Sequence, residues 1–125
     1  MNGGARLVAI TATILGFSAV VLAALGSHVV DLRDQPYLQQ IWQTASIIHL
    51  VHSAALLGLV SLSSSMKLPS LTWASWAIIS GTVIFCGSLY LRVVTGGSLT
   101  GAAPVGGVLL MLGWLLAFVP FVRGR

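Results

Sequence analysis

Four unbroken apolar stretches, each long enough to cross a lipid bilayer, constrain this chain more than any other feature. They run over 7–30, 37–62, 71–94 and 104–122. In a helix rising 1.5 Å per residue, about 20 apolar residues span the roughly 30 Å hydrocarbon core. At that depth no water can satisfy the backbone, so an open strand is excluded and each stretch must close its own hydrogen bonds as a helix. The turns between stretches are short, which makes consecutive helices antiparallel neighbours. The expected fold is all-α: a four-transmembrane-helix antiparallel up-and-down bundle, one integral membrane domain over 1–125.

Charge supports the same reading. Only 6% of residues are charged and 57% are hydrophobic, whereas a soluble domain carries about a quarter charged residues. The basic residues Arg6, Arg33, Lys67, Arg92, Arg123 and Arg125 sit at the ends of the apolar stretches. They form no clustered basic face, so a nucleic-acid partner is excluded, and membrane lipids are the expected contact. Four crossings put both termini on the side of the Lys67 turn. That side holds Arg6, Lys67, Arg123 and Arg125 against Arg33 and Arg92 on the other, which points to an inner-membrane protein with both termini in the cytoplasm. Arg6 and the small residues Ala24-Leu25-Gly26 give the first stretch the look of a signal peptide. It is longer than the roughly 7–15 residues of a signal core, so it reads as a retained span.

Polar residues inside the spans are the candidates for chemistry. His49 and His52, three residues apart near the middle of the second span, share a helix face with Trp42, Ala45, Ser46 and Ser53. Ionisable groups at this depth mark a functional site by default. A neutral imidazole can equally serve as interhelical glue. The other readings are a ligand such as a quinone head or another lipid, a proton relay, or a metal or haem. Zinc needs three or four ligands, and the spans offer no carboxylate and one thiol, Cys86. One helix face supplies haem with a single axial histidine. No cofactor and no metal are expected.

The outer rim gathers His28, Asp31, Arg33, Asp34 and Arg92. Asp31 or Asp34 is expected to pair with Arg92, and Asp34 to cap the second helix, with Pro36 in its first turn. Such a cluster either fixes topology as solvated ion pairs or receives a headgroup or partner protein. Gln39, Gln40 and Gln43 place the start of the second helix in the headgroup layer. Trp73, Trp76 and Tyr90 read as interfacial aromatics. The glycine-rich turn over 95–101 is no phosphate loop, having neither a Gly-Lys-Ser/Thr sequence nor a preceding strand. Its glycines suit positive φ. Small residues spaced four apart, Ala19/Ala23, Ala54/Gly58, Ala77/Gly81, Ala103/Gly107 and Gly113/Ala117, suit close helix contact. No Gly-x-Ser-x-Gly elbow, paired carboxylates or Cys-x-x-Cys is present. Ser53 beside His52 is not a triad, because adjacent helical residues point apart. No enzymatic activity is expected.

Four segments together resemble a known family. They are Ala24-Leu25-Gly26-Ser27-His28, Trp42-Gln43-Thr44-Ala45 leading to His52, Gly81 to Cys86 continuing as Gly87-Ser88-Leu89-Tyr90, and Pro104-Val105-Gly106-Gly107 leading to Gly113-Trp114. Their order and spacing resemble the small membrane family catalogued as domain of unknown function 423, over nearly the whole chain. The resemblance implies a four-helix inner-membrane protein and brings no established activity, cofactor or catalytic residue. It gives His28 and His52 more weight than His49, which stands where the family pattern has a polar amide. Gly26-Ser27-His28 departs mildly from the family's Gly-Ala-His. The resemblance also implies helix-packing roles for Gly81, Gly87, Gly106, Gly107 and Gly113.

The leading functional expectation is a small non-enzymatic protein that packs against itself, as a homo-oligomer, or against a larger membrane complex as an accessory subunit. The second is a lipid, quinone or small-solute binding or transport protein that uses His52 with His28 or Trp42. The third is a haem-binding membrane anchor.

Overall fold

A computed structural model describes residues 1–28, 30–97 and 101–123. Arg125, counted above among the basic residues of the terminal side, lies outside them. The described residues form four helices: α1 (Gly3–His28), α2 (Pro36–Ser65), α3 (Ser70–Thr95) and α4 (Ala102–Arg123). No strand occurs among the described residues, and each helix is long and apolar enough to cross a membrane.

The helix ends follow local chemistry. α1 begins at Gly3 because Asn2 caps it: its side-chain oxygen accepts from the Ala5 N–H at 2.8 Å. Asp34 does not cap α2. The cap position is Gln35, without a side-chain hydrogen bond, and Pro36 opens the helix. The loop is closed instead by the Gln35 N–H on the Leu32 carbonyl at 2.9 Å, which shifts Asp34 off the cap. At the far end of α2, Lys67 takes φ 53°. Leu68 N–H bonds the Ser63 carbonyl at 3.0 Å, the six-residue closure of a Schellman cap that ordinarily uses glycine. Gly96 (φ 68°) ends α3 and Gly101 (φ 85°) precedes α4, as a turn that needs left-handed backbone requires.

α2 and α3 pack against each other at the centre. α1 lies against α2 and touches α3 more briefly, and α4 lies against α3. One core cluster joins all four helices through Val8, Leu56, Leu71, Ile78 and Leu110. The outer faces of α1 and α4 carry exposed apolar side chains such as Phe17, Met111, Leu115 and Phe118, the surface that hydrocarbon requires.

The α3–α4 seam is a backbone contact. A Cβ on Gly106 would overlap the Phe85 backbone, one on Gly81 would come within 2.8 Å of the Leu110 nitrogen, and one on Gly113 within 2.5 Å of Ile78. Gly106 and Gly113, seven residues apart, stand on one helix face. Gly87 and Gly107 do not share this role. Nothing lies within 4 Å of a Cβ at Gly87, and Gly107 meets only the Phe85 ring at 3.9 Å. The helical screw explains both: Gly87 is about 240° around α3 from Gly81, and Gly107 about 100° around α4 from Gly106. Gly106→Leu is therefore expected to destabilise the fold by about 1–3 kcal/mol through overpacking. Gly87→Leu should leave stability within about 0.5 kcal/mol. Thermal unfolding in mild detergent checks both.

Candidate functional site: an internal polar seam and a rim pocket

The buried face of α2 carries Trp42, Ala45, His49, His52, Ser53 and Leu56, the helical stripe that the sequence pattern puts inward. Trp42 fills the gap between α1 and α2. Its indole N–H donates to the Leu22 carbonyl at 2.9 Å, and its ring lies where a Cβ on Gly26 would stand. Gly26 is thus a packing residue that sequence reasoning missed, because it took the glycine as part of a processing-like or family motif.

His52 is fully engaged. Its Nδ1 lies 2.8 Å from the Ile48 carbonyl, and its Nε2 accepts from the Trp114 indole N–H at 3.2 Å. A carbonyl only accepts and an indole nitrogen only donates, so Nδ1 carries the proton and the ring is neutral. Nε2 ties α4 to α2 through Trp114, while Nδ1 bonds back within α2. Neither is left to ligate haem or metal or to meet a ligand. Among the described residues, no three His, Cys, Asp or Glu side chains converge as a metal site.

His49 joins three helices. Its Nε2 lies 3.3 Å from Ser18 Oγ on α1, and its Nδ1 3.3 Å from the Tyr90 hydroxyl on α3. Ser18 already donates to the Leu15 carbonyl at 2.9 Å. His49 Nε2–H is therefore the donor to Ser18. The Tyr90 oxygen also lies 3.5 Å from Ser46 Oγ. Ser53 donates to the His49 carbonyl at 2.7 Å. Tyr90 is consequently not an interfacial aromatic: it is buried, edge-on to Trp42 with ring centroids 4.8 Å apart, because its hydroxyl finds partners inside. Trp73 is exposed at the other end of α3, while Trp76 packs on the core.

The second feature is a pocket of about 670 Å³ between the end of α1, the α1–α2 loop and the first half of α2. Its polar wall includes His28, Asp31, Arg33, Gln39, Gln43 and Ser46. Its apolar wall includes Ala23, Val30, Leu32, Trp42 and Ile47. Gln39, Gln43 and Ser46 recur at helical spacing on one face. Ser46 serves both features, lining the pocket and approaching Tyr90. His49, His52, Ser53, Asp34 and Arg92 do not line it.

The expected pairing of Arg92 with Asp31 or Asp34 does not form among the described residues. Asp31 closes locally on Arg33, with two side-chain contacts of 3.0 Å and the Arg33 backbone N–H at 3.3 Å. The Arg92 guanidinium stands 5.6 Å over the Tyr37 ring, a cation–π contact. The Arg33 guanidinium and backbone N–H hold the Asp31 carboxyl below its ordinary pKa, and Asp31 raises that of Arg33.

Two substitutions separate glue from strain in the seam. Trp114→Phe removes the donor to His52 and should cost about 0.5–2 kcal/mol. The Thr82 hydroxyl is fully buried with no hydrogen-bond partner among the described residues. Thr82→Val should therefore stabilise the protein by up to about 1 kcal/mol. Unfolding midpoints of the purified variants measure both.

The chain matches the family described as "Protein of unknown function (DUF423)" over residues 22–107. It is 34% identical over 120 residues to the UPF0382 inner membrane protein YgdD of Escherichia coli, covering 94% of this chain and 91% of that protein. With the UPF0382 membrane protein YwdK of Bacillus subtilis it shares 34% identity over 107 residues, 84% of this chain and 87% of that one. With the UPF0382 membrane protein SAB0533 of Staphylococcus aureus it shares 31% over 117 residues, 91% and 93% of the two chains. No solved structure matches. Four membrane-length helices and a family match across most of its length make this chain a multi-pass membrane protein of the DUF423 family.

Proposed function

We propose that this protein is a non-enzymatic binder of a membrane amphiphile, seated in the inner membrane with both termini in the cytoplasm, and that the amphiphile's head occupies the rim pocket. The observation that carries the reading is the pocket itself. It offers about 670 Å³, within the roughly 300–1,000 Å³ of small-molecule sites. It lies where α1 ends and α2 begins, the depth of the headgroup layer for helices of this length. Its polar side chains suit a head, and the exposed Ala23 and Ile47 suit the start of a tail. The ring nitrogens of both internal histidines lie within hydrogen-bond distance of protein partners, which favours the edge of the membrane over its middle for the binding reading. Arg6, Lys67 and Arg123 at one end of the bundle, against Arg33 and Arg92 at the other, support the orientation.

A second reading, an accessory subunit of a membrane assembly, has one specific foothold. Ala54 and Gly58 face outward on α2, and nothing lies within 4 Å of a Cβ at Gly58. The Gly81 and Gly113/Ala117 seams are already filled inside the chain. If Ala54 and Gly58 form a contact surface, Gly58→Leu should disrupt any oligomer or complex seen in mild detergent.

Native mass spectrometry of protein released from lipid nanodiscs tests the main reading. The wild type should retain one amphiphile, and Gln43→Trp, which fills the pocket from an exposed position, should lose it while keeping its unfolding midpoint. Equal retention by Gln43→Trp would refute it.

A further inference from the structure

We infer that the head taken by the rim pocket is zwitterionic, a phosphate ester carrying a primary ammonium of the phosphoethanolamine type. The inference rests on the pocket being the binding site. Among the described lining residues, Asp31 is the one carboxylate and Arg33 the one guanidinium. The wall is therefore balanced in formal charge. A purely anionic head would face Asp31 and a purely cationic one would face Arg33. A zwitterion satisfies both at once.

The two charges are available. Arg33 and Asp31 bond to each other at 3.0 Å, yet their side chains are 87% and 65% exposed. An exposed pair of this kind contributes little to stability. A ligand can exchange partners with it: the phosphate takes the guanidinium fork, which suits two phosphate oxygens, and the ammonium takes the carboxylate. The exchange keeps every charge paired.

The remaining wall selects the kind of cation. A primary ammonium has three N–H donors. After Asp31, the side-chain oxygens of Gln39, Gln43 and Ser46 lie on the same wall to accept the others. A trimethylammonium has no N–H to donate and is held by several aromatic faces. Here the described lining offers one Trp, Tyr or Phe ring, that of Trp42, whose N–H is bound to Leu22 and whose ring packs on Tyr90. A neutral quinone or sugar head would leave Asp31 and Arg33 on each other and make neither residue matter.

The test uses the full-length protein in nanodiscs with equal amounts of phosphatidylethanolamine, phosphatidylcholine and phosphatidylglycerol. Native mass spectrometry reads which lipid stays bound. Phosphatidylethanolamine should be enriched about tenfold over each of the others, the value of one good charge-assisted contact. Asp31→Asn and Arg33→Gln should each abolish the preference without moving the unfolding midpoint, since both side chains are exposed. Loss of all bound lipid in Gln43→Trp together with equal wild-type retention of all three would overturn the head assignment and leave the pocket standing. Enrichment of phosphatidylglycerol would overturn it likewise, as would indifference to Asp31→Asn and Arg33→Gln. Unchanged retention in Gln43→Trp would sink the pocket reading itself. Soluble glycerophosphoethanolamine distinguishes the source. Displacement of the lipid by it supports recognition of the head alone. Retention of phosphatidylethanolamine against it supports the same head held as a membrane lipid.

Discussion

Hydrocarbon satisfies no hydrogen bond and supplies no hydrophobic drive between helices, since lipid tails are as apolar as leucine. The helices form because the backbone has no other way to pair its polar groups. Their association then depends on close packing and on the few polar side chains available. In this protein the α3–α4 seam takes the first route: Gly81, Gly106 and Gly113 bring two backbones together. The α1–α2–α3 junction takes the second, through Trp42, His49, Tyr90 and Ser18. The two routes meet at His52, which ties α4 to α2 through Trp114.

That division explains the state of the internal histidines. Each sits at the meeting of helices with both ring nitrogens within hydrogen-bond distance of protein partners, and at His52 a carbonyl acceptor and an indole donor leave the ring neutral. A midplane imidazole so satisfied acts as a joint. The polar groups with room around them lie instead at the rim, where the α1–α2 loop closes over Trp42 and leaves a cavity. Ser46 links the two regions, so an occupant of the pocket would bear on the same α2 segment that carries the Tyr90 and His49 contacts.

The fold was legible from residues alone to an unusual degree, since the length and apolarity of four stretches leave one secondary structure available at bilayer depth. The inward face of α2 was legible too, from the spacing of Trp42, Ala45, His49 and His52. Partners were not. Asp31 meets Arg33 rather than Arg92, since two residues in a tight loop find each other before a residue on another helix does. Asp34 misses the cap because the turn from Leu32 to Gln35 sets where α2 begins. Tyr90 looked like an interfacial aromatic because depth along a helix is readable, whereas the direction of its hydroxyl depends on the neighbouring helix.

Sequence by itself determined that this chain is a membrane protein of four helices and which α2 residues face inward, because those properties follow from local period and from the solvent. Tertiary structure alone decided which glycines are contacts and which are idle, how each histidine is bonded, and that a cavity opens beside Trp42. Those depend on the rotation and offset of one helix against another, and a helix of given sequence carries no record of how its neighbour is turned.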